Sequence, residues 1–227
     1  MRNATTSAVV LLSKGFEPGR AKTRLVPALG AEGALAVHQA LVRRALETCS
    51  AGSWSLRCHV DGDPAPLRAC LPSGYEATWL PQAAGDLGWR MQSALASAHA
   101  AGYQHVLLVG SDCAALTPEY LGQGFAALAH SDVVIGPAED GGYVLLGSAL
   151  PSVWLGAPVF VGARFGGCHA LADSLASLSY LTLRGRIAQL PARWDVDDMT
   201  DVERARQAGL LPTQTDAHAR ERTHEQR

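Results

Sequence analysis

Near the start of the chain, Ser13 to Leu25 reads S-K-G-F-E-P-G-R-A-K-T-R-L and sets Lys14, Arg20, Lys22 and Arg24 around Gly15 and Gly19, directly after an apolar run. A strand that delivers a glycine-containing loop offers backbone N–H groups to an anion, and the clustered cations supply charge that side-chain packing does not require. The chemistry this suits is the holding of a polyphosphate. At roughly 4 Å and an effective dielectric near 20, each cation attracts a phosphate charge by about 4 kcal/mol before desolvation is subtracted, so several together can hold a triphosphate. A solvated basic loop is the duller reading of the same residues. The spacing is not that of a Walker A loop, because three residues separate Gly15 from Gly19 and Lys22 lies three beyond Gly19. The G-x-G-x-x-G of a dinucleotide fold is also absent after the first strand.

Two acidic points stand apart in sequence: Asp112, and the group Asp195, Asp197 and Asp198. Mg²⁺ is typically held by one or two carboxylates plus substrate phosphates and water, so acids that meet through the fold beside a cationic loop suit a metal-dependent nucleotide transferase. Each has a structural alternative: Asp112 as the cap of the next helix, Asp198 as the cap of the last one. Asp140 precedes Gly141 and Gly142, a pair that suits a tight turn or a close backbone approach to a ligand. Cys113 has no histidine partner in sequence and reads as packing. The eight histidines show no ligand spacing.

These residues need a frame. Ala8–Leu12 is a short apolar run, as in a strand buried on both faces of a parallel sheet. Helical spacing is expected over Ala31–Cys49, a strand over Ser55–Val60, a turn at Asp61–Pro64, a short helix over Pro66–Cys70 and a weaker strand over Tyr75–Leu80. The loop Pro81–Met91 enters a helix running to about Ala101, with Asp86 as its cap or first-turn acid. Val106–Gly110 is the clearest strand and ends at Asp112, where ligands sit in open α/β sheets. A helix over Pro118–Ala129, strands over Asp132–Ile135 and Val144–Leu146, a helix over His169–Leu178, a strand over Ile187–Leu190 and a helix over Thr200–Ala208 complete the alternation. The fold class is therefore α/β, a single-domain, mostly parallel twisted sheet with helices on both faces. The domain is expected over residues 1–211, with a polar, disordered tail over 212–227.

Composition narrows the partners. The chain has 227 residues, 48% hydrophobic, and 19 basic against 21 acidic residues, so its charge balance points to neither nucleic acid nor a membrane surface. Five cysteines without a C-x-x-C pair argue against a disulfide framework or a zinc site and fit a reduced, cytoplasmic setting. The run Ala8–Leu12 is too short to span a bilayer and has no signal-peptide flanks.

In order along the chain, K-G-F-E-P-G-R-A-K-T-R-L, Q-A-A-G-D-L-G-W-R-M, G-S-D-C-A-A-L-T-P, G-P-A-E-D-G-G-Y and D-V-D-D-M-T-D-V resemble the motifs of the bacterial DUF2064 family over about Ala8 to Ala208. That resemblance implies a glycosyltransferase-A-type fold, like that of nucleotide-diphospho-sugar transferases. The arrangement is also similar to that of phospholactate guanylyltransferases and molybdenum-cofactor nucleotidyltransferases. By resemblance, Lys14, Lys22 and Arg24 contact nucleotide phosphates, with Gly19, Arg20 and Thr23 in the same loop. Gln82, Gly85, Asp86 and Gly88 lie near the base or ribose, and Asp140, Gly141, Gly142 and Tyr143 near the acceptor. Asp112 is the first metal ligand, Asp197 the second and Asp195 its fallback, for Mg²⁺ or Mn²⁺; Lys22, Asp112 and Asp140 are the catalytic candidates. The chain departs from the family where G-S-D-C-P-x-L becomes Gly110–Leu116 with Ala114, where D-x-D-T-P-E-D loses its proline, and where Phe165 replaces a common tryptophan.

Two reactions suit this. In nucleotidyl transfer a phosphorylated or oxyanion acceptor attacks a nucleoside triphosphate and pyrophosphate leaves; no base is needed, and the count of loop cations puts this reading slightly ahead. In glycosyl transfer from a nucleotide sugar to a small-molecule acceptor a hydroxyl attacks, and Asp140 is the candidate base. A degenerate nucleotide-binding module is a third reading, motivated by the missing prolines.

Overall fold

The computed structural model describes residues 6–181 and 187–212. Among the described residues seven strands form one sheet: β1 (Ser7–Lys14), β2 (Ser55–Asp61), β3 (Thr78–Pro81), β4 (His105–Gly110), β5 (Val133–Pro137), β6 (Tyr143–Ser148) and β7 (Ile187–Gln189). Their order is β3-β2-β1-β4-β6-β5-β7. All neighbours pair in parallel except β6, which runs antiparallel to both β4 and β5. The reversal follows from a tight connection: β5 turns back at Glu139–Gly142 without a crossover helix, and such a turn can only produce an antiparallel neighbour.

Side-chain alternation along β1 separates two cores. Val9 and Leu11 face one layer, packing with α1 (Val26–Ser50) through Val42, Ala45 and Leu46, and with α4 (Pro118–Leu128) through Tyr120 and Leu121. Val10 and Leu12 face the other, packing with α3 (Leu87–Ala100) through Met91, Ala94 and Leu95, and with Leu178 of α5 (Ala170–Ser179). A strand buried on both faces must be apolar throughout, as the run Ala8–Leu12 is. Between β2 and β3 lies the short α2 (Ala65–Arg68), and α6 (Met199–Gln207) joins a third cluster with the first half of α1 through Val202 and Ala205.

Several expected boundaries move. The helix expected from Ala31 is extended to Val26 by one turn across a kink at Gly30, whose φ of 70° no other residue type adopts readily. By length and composition the stretch Thr23–Ser50 meets the requirements of a membrane span, but it is broken at Gly30 and lays Leu41, Val42 and Leu46 into the protein interior, as a core helix does. The third strand begins at Thr78 rather than Tyr75, whose N–H donates to the Pro72 carbonyl in a turn and whose hydroxyl donates to the Trp54 carbonyl. All five cysteines are free, and burial pushes the Cys113 thiol up to about 12, as its packing role requires. The expected tail beyond Pro212 lies outside the described residues.

Candidate active site

The carboxyl ends of β1 and β4, the turn before β6 and the segment after β7 that holds Asp195 and Asp197 open on a cleft of about 640 Å³. Its residues arrive from sequence-distant elements through a few backbone bonds. Val196 N–H donates to the Asp112 carbonyl at 3.0 Å, laying the late acidic segment beside the end of β4. Glu139 N–H donates to the Arg193 carbonyl at 2.9 Å and Arg193 N–H to the Pro137 carbonyl at 2.9 Å, bringing Asp140 to the same place. Carboxylate oxygens of Asp140, Asp195 and Asp197 thereby lie within 4.8 Å of one another. A hexacoordinate divalent cation sets opposite oxygen ligands roughly 4 Å apart, so this donor set of hard oxygens fits such an ion. Burial first, then the charges of Asp197 and Asp140, push the Asp195 carboxyl up to about 6.

Lys22 enters from the cationic loop in a left-handed conformation, φ 51°, the only positive φ among the described non-glycine residues. Its ammonium lies 3.1 Å from Asp112 Oδ2 and 3.1 Å from Asp197 Oδ1 and also donates to the Val196 carbonyl. Burial opposes its charge, but the fields of Asp112 and Asp197 together outweigh that and raise its pKa. Arg24 reaches the second oxygen of Asp197 at 3.1 Å.

The structural alternatives for the acids divide cleanly. Thr117, not Asp112, caps α4, its hydroxyl accepting from Tyr120 N–H. Asp198 does cap α6, in a capping box with Asp201. Asp195 and Asp197 are left to face the cleft.

Not every expected site residue lines it. Lys14, Lys22, Thr23, Arg24, Gln82, Gly85, Asp112, Asp140, Gly142, Tyr143, Asp195 and Asp197 do. Gly19, Arg20, Asp86, Gly88 and Gly141 do not. Arg20 turns outward to Glu17 at 2.9 Å and Asp61 at 3.2 Å, so it is subtracted from the cations facing a ligand. Asp86 caps α3 by accepting from Trp89 N–H. A Cβ on Gly88 would stand 2.9 Å from the Phe165 ring, and one on Gly141 only 2.4 Å from the Cys168 carbonyl oxygen, so both glycines serve close packing. The Gln82 amide lines the cleft but is committed, donating to the Ser13 and His59 carbonyls and accepting from Arg90. Tyr143 donates its hydroxyl toward Met91 and accepts from Ser174, and burial raises its pKa.

Other lining residues lay outside the expectations. Arg90 is held by Asp61 at 3.0 Å and by the Gly85 carbonyl, and its position within G-D-L-G-W-R-M was the available signal. His38, from α1, meets the Lys14 carbonyl at 3.2 Å. Phe165 and Ala170 form part of an apolar wall with Met91, Leu108 and Leu146, for which single-sequence patterning has no mark.

The strand order, the antiparallel β6 and a cationic loop facing clustered acids at the strand ends define the glycosyltransferase-A-like, nucleotide-diphospho-sugar-transferase type of α/β protein. A family profile described as "Uncharacterized protein conserved in bacteria (DUF2064)" matches residues 42–166, and the chain belongs to that family. Among solved structures it is similar to one from Desulfovibrio desulfuricans G20 that carries a provisional nucleotide-diphospho-sugar transferase assignment, at 28% identity and a TM-score of 0.78, covering 97% of this chain and 96% of that one. A nucleotidyl transferase from Methanothermobacter thermautotroptrophicus matches at 16% identity and TM-score 0.61, over 89% and 96% of the two chains. A CMP:2-keto-3-deoxy-manno-octonic acid synthetase complexed with CTP matches at 13% and 0.51, over 89% and 97%. The last two share the fold alone. No curated protein matches the chain.

Proposed function

We propose that the protein is a divalent-metal-dependent transferase that uses a nucleotide donor, and that it transfers a glycosyl group from a nucleotide sugar to a neutral hydroxyl on a small acceptor. The observation that carries this reading is that, among the described residues, the cations lining the cleft all come from one side and the apolar wall opposite has none. Lys14, Lys22, Arg24 and Arg90 come from the β1 loop and α3, whereas the β4–β7 half contributes Asp112, Asp140, Asp195 and Asp197 beside the apolar wall. None of the lining residues from Gly142 through Ala170 is charged. A hydroxyl acceptor with an apolar body suits such a surface, and a carboxylate beside it suits proton removal. Asp140, exposed and fixed by an Asx turn through Gly142 N–H, is the candidate base. The provisional assignment of the Desulfovibrio relative agrees.

Asp195 and Asp197, the members of the acidic cluster other than the candidate base, together with Asp112, which shares Lys22 with Asp197, would hold Mg²⁺ or Mn²⁺, which when bound neutralises charge on the donor phosphates. Lys14 and Arg24 bind and orient the diphosphate, and Asp140 takes the acceptor proton as the nucleoside diphosphate departs.

Nucleotidyl transfer remains as a second reading, favoured by Lys14, Lys22 and Arg24 together. It asks an oxyanion acceptor to draw its positive surroundings from the metal. Incubation with Mn²⁺ and a panel of nucleotide sugars, and separately with nucleoside triphosphates and phosphorylated acceptors, separates the two. Nucleoside diphosphate release from a sugar donor is expected, and Asp112→Asn should lower it by at least about a hundredfold. Pyrophosphate release from a triphosphate, with no diphosphate from any sugar donor, would replace the first reading by the second.

A further inference from the structure

We propose that Lys22 is a positioning residue that gathers Asp112 and Asp197 into one site, and that the donor phosphates are held by Lys14 and Arg24 instead. This rests on the transferase reading for the identity of the anion. An ammonium has three N–H donors, and around Lys22 stand three oxygens of the chain itself: Asp112 Oδ2, Asp197 Oδ1 and the Val196 carbonyl. Val196 and Asp197 accept hydrogen bonds from it and Asp112 faces it as an ion pair, so oxygens of the chain already surround the ammonium. The side chain is 4% exposed, while its partners Asp112 and Asp197 are 49% and 37% exposed, so the lysine stands behind the carboxylates and they face the cleft.

The backbone fixes this arrangement. Lys22 sits between buried Ala21 and fully buried Leu25, and its carbonyl accepts from Leu25 N–H at 2.9 Å. Its left-handed φ is a conformation that a lysine holds only where the surroundings over-determine it. Reaching a phosphate would require leaving that burial, taking the counter-charge from Asp112 and leaving Asp197 with Arg24 alone. Lys14 and Arg24 are freer, because Arg24 gives Asp197 Oδ2 only one of its five N–H groups, at 3.1 Å. Lys14 spends one N–H on the Arg20 carbonyl, Arg24 is 64% exposed, and both line the cleft.

The sequence makes the test direct, because Lys14 and Lys22 are its only two lysines. In protein labelled with ¹⁵N at lysine Nζ, inorganic pyrophosphate added in the presence of EDTA should move the Lys14 signal and leave the Lys22 signal in place. By titration calorimetry under the same conditions, Lys22→Met should change pyrophosphate affinity by less than about threefold, whereas Lys14→Met and Arg24→Met should each weaken it by at least about fivefold. In turnover with Mn²⁺, Lys22→Met should lower kcat while leaving the donor KM near that of the wild type. A Lys22 signal that shifts with metal-free pyrophosphate, or a Lys22→Met loss of affinity equal to that of Lys14→Met, overturns the proposal. Should Lys22→Met fail to fold, the wild-type spectra decide it. Wild-type protein that binds pyrophosphate with Mn²⁺ but not in EDTA overturns the part given to Lys14 and Arg24, and binding in neither condition defeats the transferase reading itself, an outcome distinct from a shifted Lys22.

Discussion

At the scale of single residues, the site works by holding like charges closer together than water would allow. Asp195 shows the consequence. Its carboxyl, pushed up to about 6 by burial and by Asp197 and Asp140, binds a proton more tightly folded than unfolded. Its contribution to stability is therefore fully present below the ordinary carboxylate value near 4 and is lost as pH rises through about 6. In EDTA, the melting temperature of Asp195→Asn should exceed that of the wild type increasingly from pH 4 to pH 7; equal profiles would mean that Asp195 is not under this strain. Occupation by a cation requires the ionised form, so Mn²⁺ affinity of the wild type should fall as pH is lowered through 6, measurable by titration calorimetry. The identities of these acids were legible from residue type and from their place after apolar runs. That Lys22 is spent on two of them and that Arg20 turns away were not, because both depend on partners far along the chain: Asp197 for Lys22, Asp61 for Arg20.

At the scale of elements, caps and turns aim the site residues. Asp198 and Asp201 close the amino end of α6, which leaves Asp197 free just outside the helix. Asp198→Ala should cost about 1 kcal/mol in urea unfolding while sparing Mn²⁺ affinity, and the reverse pattern is expected for Asp197→Asn. The turn between β5 and β6 carries Asp140, and Gly141 makes it possible with a φ of 90° and no room for a side chain. Gly141→Ala should destabilise the protein by roughly 1–3 kcal/mol and depress turnover together, since Asp140 moves with the turn. The existence of these helices and strands could be read from periodicity, and Asp86 and Asp198 from capping patterns, because both signals are local. The antiparallel course of β6 could not, since an apolar run has the same composition whichever way it is threaded.

At the scale of the whole molecule, one sheet buried on both faces supports a cleft along the end where its parallel strands finish. Leu11, 1% exposed in the centre of β1, anchors the layer beneath α1 and α4, and Leu11→Ala should cost about 2–5 kcal/mol by denaturant unfolding. The amino-acid sequence by itself determined the alternation of strands and helices, the ends of the sheet at which chemistry collects, and the charged residues available there. Those properties follow from hydrophobic period, backbone restrictions and side-chain chemistry over short stretches. Only the tertiary structure decided which charges face a ligand and which neutralise one another. The contacts responsible, Val196 to Asp112, Glu139 to Arg193 and Lys22 to Asp197, join segments whose meeting depends on strand order, and strand order is a product of packing across the whole chain.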